Sequence, residues 1–448
     1  MRCRVIDCFY LVSKNQLSLQ IVNRAMNISE KFRIVLTAVL LLNLAYPLRA
    51  GNGAYGSENL SGNIWEPKTL FGDYFGFHES LIENGIEIDI GITGVYQQNI
   101  HGGVSTHNRA GRNSGSYDVG LSADFEKLLG IYNSGIIVHA EGGWPDSGGI
   151  DSVSVGSAFG VNADAIGNRA LDIVELFYEG TIFGDSLNLM AGKIDFTWVF
   201  DRSVYADSES TQFLNTALVD NPTIPFPEYS LGVIITYSPA ENRYLMGGVA
   251  DAQADGRETG LRTTFHDEDY FLYILEAGLR QELDSTNGTL QGNYRVGIWN
   301  DPQPKSHSDA ADQYRGDVGF YLSCDQMLIK ENADLEDAQG LGAFFRYGHA
   351  DGRKNDITNF WSAGFRYQGF VEARDDDVLG AGFAQGVFSN HASATYSADY
   401  ESALELYYNA QVATWVNISP SVQYVTNPGG DKTAGDAVVL GVRAQIMF

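Results

Sequence analysis

Apolar and polar residues alternate with a period of two along most of the chain, and this alternation restricts its fold more than any other feature. In Ile86–Ile92 the four isoleucines share one face, while Glu87, Asp89 and Gly91 share the other. The segment 403–412 alternates in the same way. A period of two is typical of a β-strand with one apolar face, whereas a helix repeats every 3.6 residues. We therefore predict an all-β chain whose strand register is well specified.

The alternation divides the chain into sixteen candidate strands, most of them 10 to 13 residues long. A tilted strand needs about this length to cross a bilayer, and strands of soluble proteins average about half of it. The connections alternate between long and short, as the loops and turns of outer-membrane barrels do, until the link 325–338, which is too long for a turn. The candidate strands are 86–98, 116–126, 134–144, 171–181, 186–196, 230–238, 243–253, 271–283, 289–299, 314–324, 339–350, 358–370, 378–388, 401–413, 416–427 and 436–448.

These patterns predict a transmembrane antiparallel β-barrel of 16 strands, with long extracellular loops, short periplasmic turns and both termini in the periplasm. A soluble β-sandwich also alternates, but its strands are shorter and its loop lengths need not alternate. The mean hydropathy of −0.15 and the lack of a long apolar run after residue 50 argue against membrane-spanning helices. They are compatible with a barrel, in which only every second residue faces lipid.

The first 50 residues have the pattern of a signal peptide. Lys31 and Arg33 precede the apolar run Ile34–Ala45, and the small residue Ala50 follows. We predict a signal peptide over residues 1–50, with Met26 as an alternative start. Residues 51–85 then form a periplasmic N-terminal segment, and residues 86–448 form the barrel.

Charge and cysteine content narrow the function further. The first 50 residues hold seven of the 29 basic and two of the 56 acidic residues, which leaves 22 basic and 54 acidic residues in the exported part. Such an acidic chain is poorly suited to binding nucleic acid. Cys3 and Cys8 lie in the predicted signal peptide, so Cys324 has no partner for an intramolecular disulfide. A closed barrel needs none, because its backbone ladder supplies the stability.

Charged and polar residues on the polar face of the strands are the candidates for lining a pore and binding solute. An Arg or Lys that faces lipid at the middle of the membrane costs about 2–4 kcal/mol, so we expect these side chains to face the lumen. The alternative is that they only solvate the lumen and brace one another. The candidates are Glu175, Glu179, Lys193, Asp195, Glu276, Arg280, Arg295, Arg346, Arg366, Glu405, Gln423 and Arg443.

The longest link, Thr197–Tyr229, is the candidate for a loop that narrows the pore, because long ordered loops are usually functional. Its charged residues are Asp201, Arg202, Asp207, Glu209 and Glu228. The alternative is an external cap with no effect on conductance. The acidic run Asp375–Asp377 is interpreted as a solvated turn, and we expect neither a metal nor a cofactor.

The last strand carries an apolar face that ends at the terminal Phe448. This pattern resembles the C-terminal signal by which the barrel-assembly machinery recognises bacterial outer-membrane barrels. The terminal aromatic residue is uninformative by itself, but in combination with the alternation before it the signal is specific. We therefore expect the assembly machinery and outer-membrane lipid as partners.

Several segments resemble the carbohydrate-selective porin family, OprB-type. The resemblance covers most of residues 65–448 and departs from the family pattern within Gly72–Leu81. It implies a 16-stranded outer-membrane pore for diffusion of small sugars, narrowed by inward-folded loops, and it is compatible with a homo-oligomer. The matching segments are Trp65-Glu66, Gly72–Tyr74, Gly192–Asp195, Pro222–Gly232, Gly340–Gly348, Gly369, Arg374–Gly380, Tyr400-Glu401, Glu405–Tyr408, Pro420–Val425, Asn427–Gly430 and Leu440–Arg443.

Other functions remain as alternatives. A general, weakly cation-selective diffusion porin is the strongest of them, because the chain is acidic. An anion-selective pore needs rings of Arg and Lys, which the 22 basic residues are too few to favour. An enzyme is disfavoured because the chain contains no Gly-x-Ser-x-Gly elbow, His-Glu-x-x-His motif or phosphate-binding glycine loop. A barrel that acts only as an adhesin is the last alternative.

Overall fold

A computed structural model describes residues 77–145, 149–182, 186–258, 261–264, 269–305, 314–334, 338–392 and 395–448. The predicted signal peptide, residues 1–50, lies outside the described residues, as does most of the predicted periplasmic segment 51–85. Within the described part, no helix combines the length and the apolar character needed to cross a membrane.

Sixteen antiparallel strands close into a barrel, each paired with its neighbours in sequence, and this confirms the predicted fold class. The strands are β1 (Ile86–Gly103), β2 (Gly111–Asp124), β3 (Ser134–Trp144), β4 (Arg169–Thr181), β5 (Leu187–Ile194), β6 (Ser230–Ala240), β7 (Arg243–Asp251), β8 (Phe271–Ser285), β9 (Gly288–Asp301), β10 (Asp317–Lys330), β11 (Gly340–His349), β12 (Ile357–Gln368), β13 (Val378–Phe388), β14 (Tyr400–Ala413), β15 (Val416–Thr426) and β16 (Gly435–Met447).

In the described part of the chain the α-helices are short. α1 (Phe77–Glu83) precedes β1, and α2 (Phe125–Leu129) and α3 (Thr216–Val219) lie in connections between strands. A π-helix spans Asp151–Val155, and 3₁₀ turns span Asn390–Ala392 and Pro428–Gly430.

The barrel closes where the first strand pairs with the last. β1 and β16 are joined from Gly91↔Met447 to Gly103↔Gly435. The terminal residue extends this ladder, because the backbone N–H of Phe448 donates to the carbonyl of Ile90 at 2.9 Å. Closure leaves no open edge strand, as a sheet in hydrocarbon requires.

Directly paired residues share a face, so the ladder assigns every strand residue to the lipid or the lumen. Leu404, Val442 and Val296 are about half exposed on the outer surface, with Val442 at 47%. Glu405 and Arg443, their neighbours in sequence, point inward and are almost fully buried. The barrel therefore has an apolar outer belt and a polar interior.

Two predicted boundaries were wrong, and the first correction shortens a periplasmic turn whereas the second shortens an extracellular loop. β10 continues to Lys330, so the turn before β11 is 331–339 rather than 325–338; a register shift between Met327 and Ile329 interrupts the period of two there. β1 and β2 extend to residues 103 and 111, so their loop is 104–110 rather than 99–115. Apart from Ile100, the residues added at the end of β1 and the start of β2 are polar or glycine, which hides the alternation without breaking the ladder.

All the longest connections lie at one end of the barrel. These are 145–168, 195–229, 252–270 and 302–316. The opposite end has the turns 241–242, 286–287 and 414–415, together with the start of β1 and the end of β16. The end with short turns is the periplasmic end in barrels of this kind.

Replacing Val442 by Arg tests the assignment of the outer face. An arginine at this lipid-facing position is expected to lower the free energy of unfolding by about 2–4 kcal/mol. The measurement is chemical unfolding of the protein in lipid vesicles. Thr286→Arg, in a periplasmic turn, is the control and should change stability by no more than about 0.5 kcal/mol. Equal stability of V442R and T286R would contradict the assignment.

Candidate functional site

The connection 195–229 turns into the barrel and lies along its inner wall; we call it the constriction loop. Its first residues, Phe196 and Phe200, pack against the inward face of β7, where a methyl group at Gly248 would lie 2.7 Å from Phe196. Further along, Phe213 packs against Gly382 of β13 in the same way. Glycines on the wall thus make room for the aromatic residues of the loop, and the loop becomes part of the barrel core.

Glu276 on β8 holds the beginning of the loop. Its carboxylate accepts a hydrogen bond from the backbone N–H of Asp201 at 2.9 Å. It also accepts from the hydroxyls of Tyr244 and Tyr321, at 2.8 and 2.7 Å. All three donors bond to this buried carboxylate, which fixes its position. Glu276 therefore holds the loop backbone in place.

Arg346 on β11 holds the middle of the loop through three backbone carbonyls. Its guanidinium donates to the carbonyls of Asp201, Ala206 and Leu218 at 3.3, 2.9 and 2.9 Å. Asp201 has a positive φ of 55°, and its carboxylate accepts from the side-chain amide of Asn221 at 3.0 Å. The planar guanidinium has several N–H donors, which suits it to several acceptors at once. Arg346 therefore binds three separate points of the loop backbone.

Glu405 and Arg443 bind the next part of the loop from β14 and β16. The Glu405 carboxylate accepts from the backbone N–H groups of Leu214 and Asn215, with shortest distances of 2.9 and 2.8 Å. These groups lie at the start of α3, where a negative charge is favourable. Arg443 donates to the carbonyls of Glu209 and Gln212 at 2.6 and 2.9 Å.

A second connection, 145–168, also folds inward and is bound to the constriction loop. The backbone N–H of Ala163 donates to the carbonyl of Leu214 at 2.8 Å, and that of Thr216 to the carbonyl of Gly160 at 3.2 Å. Gln423 bridges the pair: its amide nitrogen donates to the carbonyl of Val161, and its oxygen accepts from the side chain of Asn215. The two loops therefore form one unit inside the barrel. No role for 145–168 was predicted from the sequence.

The constriction loop contacts most of the inner wall from β6 to β16, and β2–β4 carry a row of inward-facing titratable side chains opposite it. We call these residues, Asp118, His139, Glu141 and Glu175, the acidic wall. His139 lies between two carboxylates, with Nε2 3.0 Å from Asp118 and Nδ1 3.3 Å from Glu175. The acidic wall therefore lies on the part of the inner wall outside β6–β16, and three of its four residues are carboxylates.

Both ends of the constriction loop are fastened to the acidic wall. Glu175 accepts from the backbone N–H of Asp195 at 3.0 Å and from the indole N–H of Trp198 at 2.9 Å. At the other end, the hydroxyl of Tyr229 donates to Glu141 at 3.3 Å. Polar groups and aromatic rings from both ends of the loop thus lie beside the carboxylates of the wall.

Two loop carboxylates outside the strands have raised pKa values. Burial raises the pKa of Glu209 to about 7, and the nearby carboxylates Asp220 and Asp118 contribute in the same direction. Burial, with the adjacent Glu175, also raises the pKa of Asp195 to about 7. Glu209 is therefore close enough to Asp118, in the acidic wall, for the two carboxylates to repel each other.

The other proposed pore-lining residues occupy different parts of the lumen. Glu179 lies near the periplasmic end, 3.4 Å from the amide of Asn188. Arg280 also faces inward there and donates to the carbonyl of Glu241. Arg295 forms a buried ion pair with Asp325 at 2.6 Å, and Arg366 donates to Gln368 at 3.1 Å.

Lys193 is a correction, because the ladder pairs it with Leu176 and Leu231 on the outward face. It lies at the extracellular end of β5, where its ammonium donates to the carbonyls of Ile173, Gly256 and Glu258. Backbone oxygens, two of them from the connection 252–270, replace the water that the charge would otherwise need. The expectation that a charge must face the lumen fails here because the strand end is covered by a loop.

The remaining charged loop residues form pairs. Arg202 donates to Asp207 at 2.8 Å within the constriction loop. Glu228, at the end of the loop, pairs with Arg169 at the start of β4. Asp118, His139 and Glu141 were not predicted from the sequence, although the alternation in 116–126 and 134–144 places them on the polar face. Leu121 and Val138 lie on the other face.

Comparisons with known proteins agree with this architecture. A family model described as "Carbohydrate-selective porin, OprB family" matches residues 108–448. Porin B of Pseudomonas aeruginosa is 22% identical to this chain, over an alignment that covers 90% of this chain and 95% of Porin B. The putative porin QuiX of Acinetobacter baylyi is 21% identical, over 88% of this chain and 97% of QuiX. The high-pH structure of Pseudomonas putida OprB superposes with a TM-score of 0.75 at 18% identity, over 85% of this chain and 98% of that one.

Replacing Arg346 by Ala tests whether the position of the constriction loop depends on this side chain. The change leaves three loop carbonyls without their donor, and each hydrogen bond to a charged group contributes about 1.5–3 kcal/mol. We expect the loop to move away from the wall, and single-channel conductance in planar bilayers to become larger and noisier. Arg280→Ala is the control, because Arg280 faces the lumen and donates to Glu241 in a periplasmic turn. Identical conductance traces for R346A and the unmodified protein would contradict this role.

Proposed function

Because this chain belongs to the carbohydrate-selective porin family, OprB, we propose that mono- and small oligosaccharides diffuse through its lumen between the constriction loop and the acidic wall. The resemblance drawn from the sequence is confirmed, and the protein is a carbohydrate porin of the bacterial outer membrane. The proposed path, and the residues that border it, go beyond what family membership establishes.

The observation that carries the proposed path is the way the loop is fixed. Glu276, Arg346, Glu405 and Arg443 hold its backbone from four strands of the wall. These side chains are occupied by the loop, so we propose that their role is to set the width of the path. The solute then meets the residues that border the path.

The bordering residues suit a sugar. Carboxylates such as Asp118 and Glu209 accept hydrogen bonds from hydroxyl groups, and the Trp198 indole offers an apolar ring face to the C–H groups of a sugar. The Tyr229 hydroxyl donates to Glu141 in the same wall. A neutral, hydroxyl-rich solute is therefore matched by both kinds of group. Passive diffusion requires no catalytic step, and we propose that the protein acts as a channel only.

A general, weakly cation-selective porin is the second candidate, and the acidic wall is the observation that favours it. Carboxylates attract any cation, whether or not the pore recognises sugars. The two candidates differ in whether a sugar binds. Only a pore with a sugar-binding path is blocked when sugar is added.

The C-terminal strand is proposed to be recognised by the barrel-assembly machinery before the barrel closes. In the closed structure Phe448 is 9% exposed and its backbone N–H is paired with Ile90. The pairing surface of β16 is available only while β1 is absent. Recognition of this strand is therefore expected to end when β1 joins it.

Sugar transport is tested with the purified protein in liposomes and planar bilayers. We expect swelling in iso-osmotic glucose or maltose and a concentration-dependent decrease of ion current when these sugars are added. Trp198→Ala should weaken the block, because the ring face is lost, while Trp361→Ala on β12 is the matched control. Swelling without block by any mono- or disaccharide would favour the general cation-selective porin.

Charge selectivity is tested with Glu209→Gln, which keeps the shape of the side chain. Because the pKa of Glu209 is about 7, its carboxyl is neutral below pH 7 and negative above it. We expect the reversal potential in a KCl gradient to show a cation preference that grows as pH rises through 7, and this growth to be smaller in E209Q. Glu372→Gln, in an exposed periplasmic turn, should behave like the unmodified protein. A preference that is independent of pH would contradict this role.

A further inference from the structure

The periplasmic connection between β2 and β3 contains a well-formed helix that buries no residue. α2 is capped at its start by Asp124, whose carboxylate accepts from the backbone N–H groups of Glu126 and Lys127 at 2.8 and 3.3 Å. It ends at Gly130, which has a left-handed φ of 70° and donates to the carbonyl of Glu126. The caps fix the helix in place, although none of its residues is buried within the chain.

The exposed side chains of this segment are apolar. Leu129 is 64% exposed, and Leu128, Ile131 and Tyr132 are each more than 40% exposed. Four large apolar residues within 128–132 make a patch that is unfavourable in water. Patches of this kind mark an interaction surface.

The patch continues the outer, lipid-facing surface of the barrel. The ladder places Ala123, Ile136 and Tyr178 together on the outward face. Phe125, the first residue of α2, lies beside Tyr178 with ring centroids 6.5 Å apart. Tyrosines at this height are typical of the belt at a membrane–water interface. The helix therefore starts at the edge of the lipid-facing belt.

A second periplasmic connection repeats this arrangement at another part of the rim. Phe370, in the turn between β12 and β13, is 56% exposed, and its neighbour Val371 is also exposed. Phe370 packs edge-on against Tyr367 at 5.4 Å, and the ladder places Tyr367 on the outward face with Leu341 and Leu379. Two connections with unrelated sequences thus extend the lipid-facing belt through an aromatic pair.

We propose that these two rim segments, 125–132 and 370–371, insert into the periplasmic leaflet of the outer membrane and contact phospholipid acyl chains. Apolar side chains on short, fixed elements at the interface are buried at the boundary between headgroups and acyl chains. The segments would then anchor the periplasmic end of the barrel and set its depth in the membrane. Their continuity with the lipid-facing belt favours phospholipid over a protein partner.

The experiment places an environment-sensitive NBD fluorophore on single cysteines, in a background in which Cys3, Cys8 and Cys324 are replaced by Ser. The test positions are Leu129→Cys and Phe370→Cys. Leu404→Cys, on the outer face of β14, is the lipid reference, and Thr286→Cys, in another periplasmic turn, is the water reference. Each labelled protein is reconstituted in phosphatidylethanolamine–phosphatidylglycerol vesicles, with and without doxyl-labelled phospholipid, after its heat-modifiable gel mobility has shown that it is folded.

We expect L129C and F370C to show blue-shifted emission and a loss of fluorescence to doxyl lipid comparable with that of L404C. T286C should show neither. Emission at the test positions like that of T286C would overturn the proposal, because the segments would lie in water. Blue-shifted emission without quenching would also overturn it, since a second copy or another part of this chain would then cover the patch.

Discussion

The closure of the ladder between β1 and β16 is the constraint on which the rest of the structure depends. In hydrocarbon, every backbone N–H and C=O must find a partner within the protein, and an open sheet would leave two edges unpaired. Closure from Gly91↔Met447 to Gly103↔Gly435 removes both edges. It also fixes which residues point inward, because a shift of one residue would exchange the two faces. The polar interior is thus a consequence of satisfying the backbone in lipid.

The constriction loop must meet the same requirement, because it brings its own unpaired backbone groups into the barrel. The constriction loop has little regular structure, so its N–H and carbonyl groups need partners from elsewhere. Glu276 and Glu405 supply acceptors, and Arg346 and Arg443 supply donors. Charged groups are effective here because each makes several strong hydrogen bonds at once. The same residues therefore solvate the lumen and fold the loop.

The period of two allowed the fold to be predicted from the sequence, because it reports directly which residues alternate between lipid and lumen. It failed where that signal is weak, as at the polar end of β1 and at the irregular end of β10. The prediction that Lys193 faces the lumen was wrong for a different reason. The alternation of Leu187, Leu189 and Ala191 already indicated an outward position for it. The rule that charges avoid lipid overrode the pattern, and carbonyls of a distant loop made the exception possible.

The candidate site was less predictable than the fold. The alternation predicts on which face of a strand a residue lies, but not what occupies the space in front of that residue. Arg346 and Glu405 were expected to meet solute, and they instead bind backbone more than a hundred residues away in sequence. Asp118 and His139 also face inward, and we propose that they border the path of the solute. The difference depends on where the constriction loop lies, which is a long-range property. In the proposed path, the width and the chemistry of the pore are therefore set by different residues, so the acidic wall can change its charge while the side chains that bind the loop backbone keep the loop in place.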